Sequence, residues 1–389
     1  MVPRMKSVLM LMSVLAVGLP ALGQDKGKAV TNVRDAGPDF QFCGDYVGKI
    51  ETGPGNRQEI GLQVVPLGEG KFYALQYVGG LPGETESASA QVALQGVRKG
   101  GNVLLEGWPM SITLSSGVAT VHYTGGDDVV GELLKIRRAS PRIGACAPSG
   151  ATVLFDGKNT DQWTKGKISP EGHLIAGTET KKSYRNFTLH LEYRVPYVES
   201  ARGQGRGNSG VYLQRRYEVQ ILDSFGLPIL KNGAAALYRL RAPDINASLP
   251  PLEWQTYDIE FQAAEFDETG RKTKDARITV CHNGYIVHDD IEILRKTGAG
   301  RNEGPEAGPI LLQDHGNPVV FRNVWIVDHD NQCDPCDPCC LQRQQRDPCA
   351  PEADCNSTGK CRKPASSVAK EDRTNGDCDC GQHHVARRR

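Results

Sequence analysis

The sequence has no excess of either charge and, after residue 19, no long apolar segment. Its 389 residues include 46 lysines and arginines against 46 aspartates and glutamates. Proteins that bind nucleic acid or anionic membranes over a broad surface usually have a basic excess. We therefore expect no nucleic-acid partner. A membrane-spanning helix requires ~20 consecutive apolar residues, so we expect no membrane insertion of the mature chain.

The N-terminal segment has the features of a secretory signal. Arg4 and Lys6 precede the apolar run Val8–Leu19, and Ala21-Leu22-Gly23 supplies the small residues that a signal peptidase reads. We expect a signal peptide at residues 1–23 and a polar leader at residues 24–37. The mature protein would then be exported, to a periplasm or to the extracellular space.

Glycine and proline are frequent, at 44 and 23 residues, and they separate short apolar runs. This pattern is typical of all-β proteins with many turns, and no segment requires a long helix. Residues 38–139 contain strand candidates punctuated by Gly-Gly pairs, which predicts a small antiparallel β barrel or sandwich. We find no catalytic constellation there. Residues 140–150 are interpreted as a linker.

Cysteine is scarce outside the C-terminal tail. Cys43 and Cys146 flank the small domain and could close it with a disulfide, although both could equally be unpaired. The tail, residues 329–389, has nine of the 12 cysteines and no aromatic residue, isoleucine or methionine. It cannot build an apolar core, so it is predicted to be disordered or disulfide-linked, with a metal site as the less favoured alternative. Because nine is odd, one thiol could link a partner chain.

Residues 151–328 are organised around the stretch Asn208–Gly226. Apolar residues fall on its odd positions and polar residues on its even ones, which is the period of a half-buried strand. We interpret the stretch as one long strand or as two strands joined by a three-residue bend. With the other alternating segments, it predicts a two-sheet jelly roll with one concave polar face. A sheet that faces water would alternate in the same way, and that alternative stays open.

Four ordered blocks make this domain resemble a large bacterial family. They read NSGVYLQRRYEVQILDSFG, APDINASLPPLEWQTYDIEF, ARITVCHNGYIVHDD and GPILLQDHGNPVVFRNVWI. The family is that of the 3-keto-disaccharide hydrolase domains, which have a concanavalin A-like jelly-roll fold. The resemblance covers residues 153–327. It implies cleavage of carbohydrate glycosides already oxidised to a ketone at C3 of the sugar, or the related lyase and hydratase steps.

Such chemistry needs a base, an acid and hydrogen-bonding groups. A ketone at C3 acidifies the C2 hydrogen, so a base can remove it while the anomeric oxygen leaves, and water then adds back. Glu218, on the polar side of the central stretch, is the predicted base, although it could simply pair with Arg216. His315 is the predicted acid or second base because imidazole titrates near neutrality, although turn chemistry alone could explain it.

Other polar residues of the domain are predicted to bind the sugar. Tyr212 and Trp254 could stack on a pyranose ring. Asp223 could bind a metal ion or cap a turn. A divalent cation could assist the enolate, but no tight ligand spacing requires a cofactor. His190 and Glu192 lie on one face of their strand and could join the site, but placement at the surface is the favoured expectation. The residues expected to position sugar hydroxyls or the enolate are Asn208, Arg216, Gln220, Asn246 and Asp314.

Two other functions stay open. Family members commonly have a lysine where this sequence has Leu249, so the domain could be a non-catalytic carbohydrate-binding or cell-surface module that uses the same concave sheet. Alternatively, the cysteine-rich tail could be the functional part, as a metal-binding or cross-linking appendage.

Overall fold

The computed structural model describes residues 27–84 and 89–331. The predicted signal peptide, the start of the polar leader and nearly all of the cysteine-rich tail, with its predicted disulfides, lie outside these residues. The described residues form β-strands joined by loops and by short 3-10 turns. These turns are Val33–Asp35, Phe40–Phe42, Gly203–Gly205 and His329–Asn331. The all-β prediction is confirmed.

The first unit is a closed antiparallel barrel in which each strand pairs with the next and the last pairs with the first. Alternate side chains point inward, and they fill the interior with one apolar core that includes Tyr46, Leu62, Phe72 and Leu105. The predicted small barrel is thus confirmed. Its strands are β1 (Gly44–Gly53), β2 (Asn56–Gly68), β3 (Lys71–Val78), β4 (Ser89–Lys99), β5 (Asn102–Glu106), β6 (Met110–Ser115), β7 (Val118–Tyr123) and β8 (Val129–Ile136).

The second unit is a sandwich of two sheets, which confirms the predicted jelly roll. Its larger strands are antiparallel, and the apolar sides of both sheets share one core that contains Leu189, Val211, Ile221 and Tyr257. The strands are β9 (Thr152–Phe155), β10 (Trp163–Thr164), β11 (Leu174–Ile175), β12 (Thr178–Thr180), β13 (Phe187–Arg194), β14 (Ser209–Leu213), β15 (Tyr217–Ile221), β16 (Trp254–Gln262), β17 (Glu265–Phe266), β18 (Lys272–Lys274), β19 (Ala276–His282), β20 (Tyr285–Ile293), β21 (Leu311–Leu312) and β22 (Val320–Asp328).

The two sheets differ in size. The five-stranded sheet has the order β10-β12-β21-β14-β15, so β15 is an edge strand. The seven-stranded sheet has the order β11-β22-β13-β16-β19-β20, and β9 also pairs with β22. Strands β17 and β18 form a separate small hairpin.

The central stretch forms two strands joined by a three-residue bend, which is one of the two predicted alternatives. Leu213 pairs with Tyr217, so the bend comprises Gln214, Arg215 and Arg216. Because the bend has an odd number of residues, the alternation of faces continues unchanged from β14 to β15. Gln214 and Arg215 adopt φ values of 54° and 56°, which are unusual for residues with a side chain.

The predicted linker covers the outer face of the seven-stranded sheet. The Arg142 guanidinium donates to both carboxylate oxygens of Asp258, at 3.3 and 3.0 Å, and Gly144 N donates to Glu192 Oε1 at 2.6 Å. His190 Nδ1 lies 2.7 Å from Asp258 Oδ1. His190 and Glu192 are therefore fully buried rather than at the surface, because the linker shields their side of the sheet.

The predicted disulfide between Cys43 and Cys146 is wrong. Cys43 is a free, buried thiol, whereas Cys146 and Cys281 are disulfide-bonded. Cys43 lies at the start of the barrel, where Val65 and Phe225 enclose it. Cys146 instead follows the part of the linker that lies on the sandwich. The flanking positions of the two cysteines in sequence did not bring them together.

We expect the buried Arg142–Asp258 pair to be much more important for stability than an exposed pair nearby. Arg142→Met leaves the Asp258 carboxylate without its guanidinium, which should lower the free energy of unfolding by about 3–5 kcal/mol. Arg137→Met breaks an exposed pair with Glu253 and should cost less than ~1 kcal/mol. Urea unfolding of both variants measures the difference, and equal losses would contradict the assignment.

Candidate functional site

The polar side of strands β14 and β15, in the five-stranded sheet, is buried. Every residue of β14 and β15 is buried, on the polar side as well as on the core side. The free edge of β15 is covered by residues 235–238, because Ala235 N donates to Gln220 O at 2.9 Å and Tyr238 N donates to Glu218 O at 3.1 Å. We call the polar groups beneath this cover the Glu218 site: Gln204, Asn208, Tyr212, Glu218, Gln220 and Gln313.

Glu218 lies at the centre of this site with only 3% of its surface exposed. The Tyr212 hydroxyl donates to Glu218 Oε2 at 2.7 Å. Burial raises the pKa of the Glu218 carboxyl from 4.5 to about 7, although the Tyr212 hydrogen bond opposes this shift. A carboxyl with a pKa near 7 can act as a base or an acid at neutral pH.

Gln220 connects Glu218 to a group of amide side chains. One end of its amide lies 2.9 Å from both Glu218 Oε1 and Ser209 O, which are acceptors, so we assign the nitrogen to that end. The other end lies 3.1 Å from Gln204 Oε1 and 3.2 Å from Asn208 Oδ1. Asn208 Nδ2 also donates to Gln204 O at 2.8 Å. The predicted residues Asn208, Gln220 and Glu218 therefore lie together.

Gln204 and Gln313 belong to the site although sequence reasoning missed them. Gln313 follows β21, and its backbone N donates to Gly210 O at 2.8 Å. Its Oε1 atom is buried without a hydrogen-bond partner. A Cβ atom built on Gly210 would lie 2.5 Å from Glu218 Oε1 and 3.2 Å from Gln313 Oε1. The two acceptor oxygens therefore lie close together beside Gly210, where only a glycine fits.

His315 lies in an exposed turn beside this site. The turn is attached at both ends, because the Ser209 hydroxyl donates to Gln313 O at 2.7 Å and Asn208 N donates to Asn317 Oδ1 at 2.8 Å. Asp314 is also exposed, and its carboxylate accepts from Gly316 N at 2.8 Å. His315 is thus two residues from Gln313 and two from Asn317, the residues that attach the turn to the start of β14.

Two predicted sugar-binding residues have other contacts. Arg216 donates to the backbone oxygens of Asn302 and Glu306 at 3.1 and 2.8 Å, so it holds that loop and is not the partner of Glu218. Asn246 donates to Ser224 O and Leu227 O at 2.8 and 2.9 Å. These contacts are structural, because both side chains are nearly buried and satisfied by backbone groups.

The proposed stacking role fits neither aromatic residue. Tyr212 is only 3% exposed and acts as a hydrogen-bond donor to Glu218. Trp254 lies in the other sheet, where the guanidinium carbons of Arg322 and Arg194 lie 4.1 and 5.1 Å from its ring centroid. These cation–π contacts occupy the ring surface that a sugar would need.

Asp223, the predicted metal ligand, instead forms a buried ion pair. Arg206 donates to Asp223 Oδ2 at 2.6 Å. In residues 27–84 and 89–331, no group of three or more His, Cys, Asp or Glu side chains is arranged to hold a metal ion. No helix in the same part of the chain is long and apolar enough to cross a membrane.

Comparison with known proteins identifies relatives of the sandwich. The model of the 3-keto-alpha-glucoside-1,2-lyase-like domain family matches residues 150–327. A candidate glycosyl hydrolase of known structure from Parabacteroides distasonis is 35% identical, over 47% of this chain and 85% of that chain, with a TM-score of 0.44. A second candidate glycosyl hydrolase of known structure from the same organism is 20% identical, over 46% of this chain and 94% of that chain, with a TM-score of 0.35. No curated protein matches.

The family match makes the jelly roll a domain of the carbohydrate-active, glycoside hydrolase-like class. The chain belongs to the family of 3-keto-alpha-glucoside-1,2-lyase-like domains, as its sequence blocks predicted.

The raised pKa of Glu218 predicts a pH-dependent effect on stability. Below pH 4.5 the carboxyl is protonated in both the folded and the unfolded state; above that pH it ionises first in the unfolded chain. Stability from this group is therefore present at low pH and lost as pH rises through about 7. Because Glu218→Gln does not ionise, its stability relative to wild type should increase over this range by on the order of 3 kcal/mol.

Denaturant unfolding of both proteins at a series of pH values measures this difference. Tyr212→Phe should move the upper end of the transition to higher pH, because it removes the hydrogen bond that lowers the Glu218 pKa. A difference between Glu218→Gln and wild type that does not change with pH would contradict the assignment.

Proposed function

We propose that this protein cleaves 3-keto glycosides by removing the proton on C2, with Glu218 as the base. The observation that carries the proposal is the buried Glu218 carboxyl, whose pKa lies at about 7 among hydrogen-bonding groups. The C–H electron pair forms an enolate with the C3 ketone. The enolate then expels the anomeric oxygen and leaves a double bond between C1 and C2. Water adds back to complete hydrolysis.

The neighbours of Glu218 have distinct roles in this mechanism. Tyr212 fixes Oε2 by its hydrogen bond, so Oε1 lies beside Gly210 and Gln313. The free Gln313 Oε1 accepts a sugar hydroxyl there, which orients C2 toward the base. Gln220 and Asn208 supply amide groups for the enolate or for further hydroxyls. His315, on its exposed turn, protonates the leaving oxygen.

The same proposal includes export. Residues 1–23 have the charge and apolar pattern of a signal peptide, so the protein would meet its oxidised substrate outside the cytoplasm. Mass spectrometry of the N-terminus of the secreted protein tests this point, and an intact Met1 on the exported chain would contradict it.

The decisive measurement is release of the aglycone from a 3-keto glucoside by the mature protein. We expect turnover of the keto substrate and none of the unoxidised glucoside, because only the ketone acidifies C2. Glu218→Gln and His315→Ala should each lower kcat by ~10²-fold or more. Glu260→Gln, which alters a partly buried glutamate of β16 in the other sheet, is the matched control and should retain activity.

Two outcomes would overturn the proposal. Wild-type activity in Glu218→Gln would exclude this residue as the base. Absence of any turnover with retained sugar binding would instead identify the domain as a non-catalytic carbohydrate-binding module.

A glycine substitution tests whether the position of the Glu218 carboxyl matters. Gly210→Ala places a methyl group 2.5 Å from Glu218 Oε1, so the carboxyl must move. We expect kcat/KM to fall by ~10²-fold, as for other displacements of about 1 Å at a reacting group. Gly101→Ala is the control, because a Cβ there meets nothing within 4 Å. Unchanged kcat/KM in Gly210→Ala would place the reaction elsewhere.

A further inference from the structure

The N-terminal barrel contacts the loop that follows the strand carrying Glu218. Val65, on the outer side of β2, and Cys43 form one buried apolar cluster with Phe225. Phe225 has no exposed surface, and Val65 has 1%. Phe225 follows the end of β15 by four residues. The barrel therefore encloses the chain directly after Glu218 and Gln220.

The fit between the two units is tightest at Gly226. This glycine has φ of +61°, and a Cβ atom built there would lie 2.6 Å from Val65 Cγ2 and 3.3 Å from Gln63 Cβ. A contact this close leaves no space for a side chain. The loop is thus pressed against β2 of the barrel at a position that suits glycine both by conformation and by space.

A buried ion pair connects this loop to a second loop, which precedes β14. Arg206 and Asp223 are 3% and 2% exposed, and their side chains meet at 2.6 Å. Their backbones are also joined, because Asp223 N donates to Arg206 O at 3.1 Å. The barrel contacts this second loop directly as well, since Arg202 donates to Leu67 O at 2.6 Å.

The second loop carries Gln204, which belongs to the Glu218 site. Its Nε2 donates to Asn232 O at 2.8 Å, and its Oε1 lies 3.1 Å from the Gln220 amide. The amide of Gln220 in turn lies 2.9 Å from Glu218 Oε1. A continuous series of contacts therefore runs from Val65 of the barrel to the Glu218 carboxyl.

We propose that the N-terminal barrel is a positioning element of the Glu218 site: Val65 holds Phe225 and Gly226, and the Arg206–Asp223 pair passes this constraint to Gln204. The barrel interior is filled by its own apolar side chains, so its outer surface performs this role. The residues of the barrel are positioning residues, because they act through the two loops and touch neither substrate nor Glu218.

The test breaks the contact at Gly226 and then relieves it. Gly226→Ala introduces a clash with Val65 and should lower kcat/KM by about tenfold or more. Val65→Ala removes the clashing methyl groups, so the double variant Val65→Ala/Gly226→Ala should recover part of that loss even though the backbone strain at position 226 persists. Val97→Ala, at an exposed valine of the same barrel, is the matched control and should behave as wild type.

A second readout is independent of catalysis. The kinetic readout rests on the proposed function, whereas the pKa of Glu218 can be measured by comparing unfolding with and without Glu218→Gln across pH. In Gly226→Ala, and to a smaller extent in Val65→Ala, water should reach the carboxyl and its pKa should fall from about 7 toward 4.5.

The outcomes separate the two proposals. A lowered Glu218 pKa in Gly226→Ala with recovery in the double variant supports the positioning role even if no 3-keto glycoside is turned over. The positioning role would be overturned if both single variants kept the wild-type Glu218 pKa and the wild-type kcat/KM and showed only a lower melting temperature. The barrel contact would then be purely structural.

Discussion

The structure depends on burying a polar sheet surface. Strands β14 and β15 are enclosed on both sides, so their outer side chains must find hydrogen-bond partners away from water. Tyr212 and Gln220 supply hydrogen-bond donors to Glu218. This enclosure raises the pKa of Glu218. The raised pKa of Glu218 and the cost of this carboxyl to stability at neutral pH therefore have the same physical cause.

The segments around the sandwich serve this enclosure in different ways. Residues 235–238 pair with the free edge of β15. The barrel packs against Phe225, in the loop that follows β15. On the opposite sheet, the buried ion pair of Arg142 with Asp258 holds the linker against the sandwich. Loss of one partner in such a pair leaves an uncompensated charge. The linker is thus held to the sandwich by a buried polar pair, whereas the barrel contacts it through the apolar cluster of Cys43, Val65 and Phe225.

Part of the site could be predicted from sequence. Tyr212, Glu218 and Gln220 were found because a strand has a strict period of two, so residues on one side of it are readable from spacing alone. Gln204 and Gln313 were missed because they come from a loop and from the end of a two-residue strand. No local pattern marks such residues: pairing of β14 with β21 brings Gln313 to Glu218, and contacts with Asn208 and Gln220 bring Gln204 there. The same limit applies to Trp254 and Asn246, whose residue types suit sugar binding but whose partners lie far away in sequence.

The sequence by itself determined the all-β class, the order of the two units, the family and the polar side of the central stretch. These features depend on composition, turn residues and short-range alternation. Only the tertiary structure decided that His190 and Glu192 are buried, that Cys43 stays free and that Glu218 is shielded from water. Burial is set by whichever distant segment covers a surface, and a residue's own neighbours in sequence do not specify that segment.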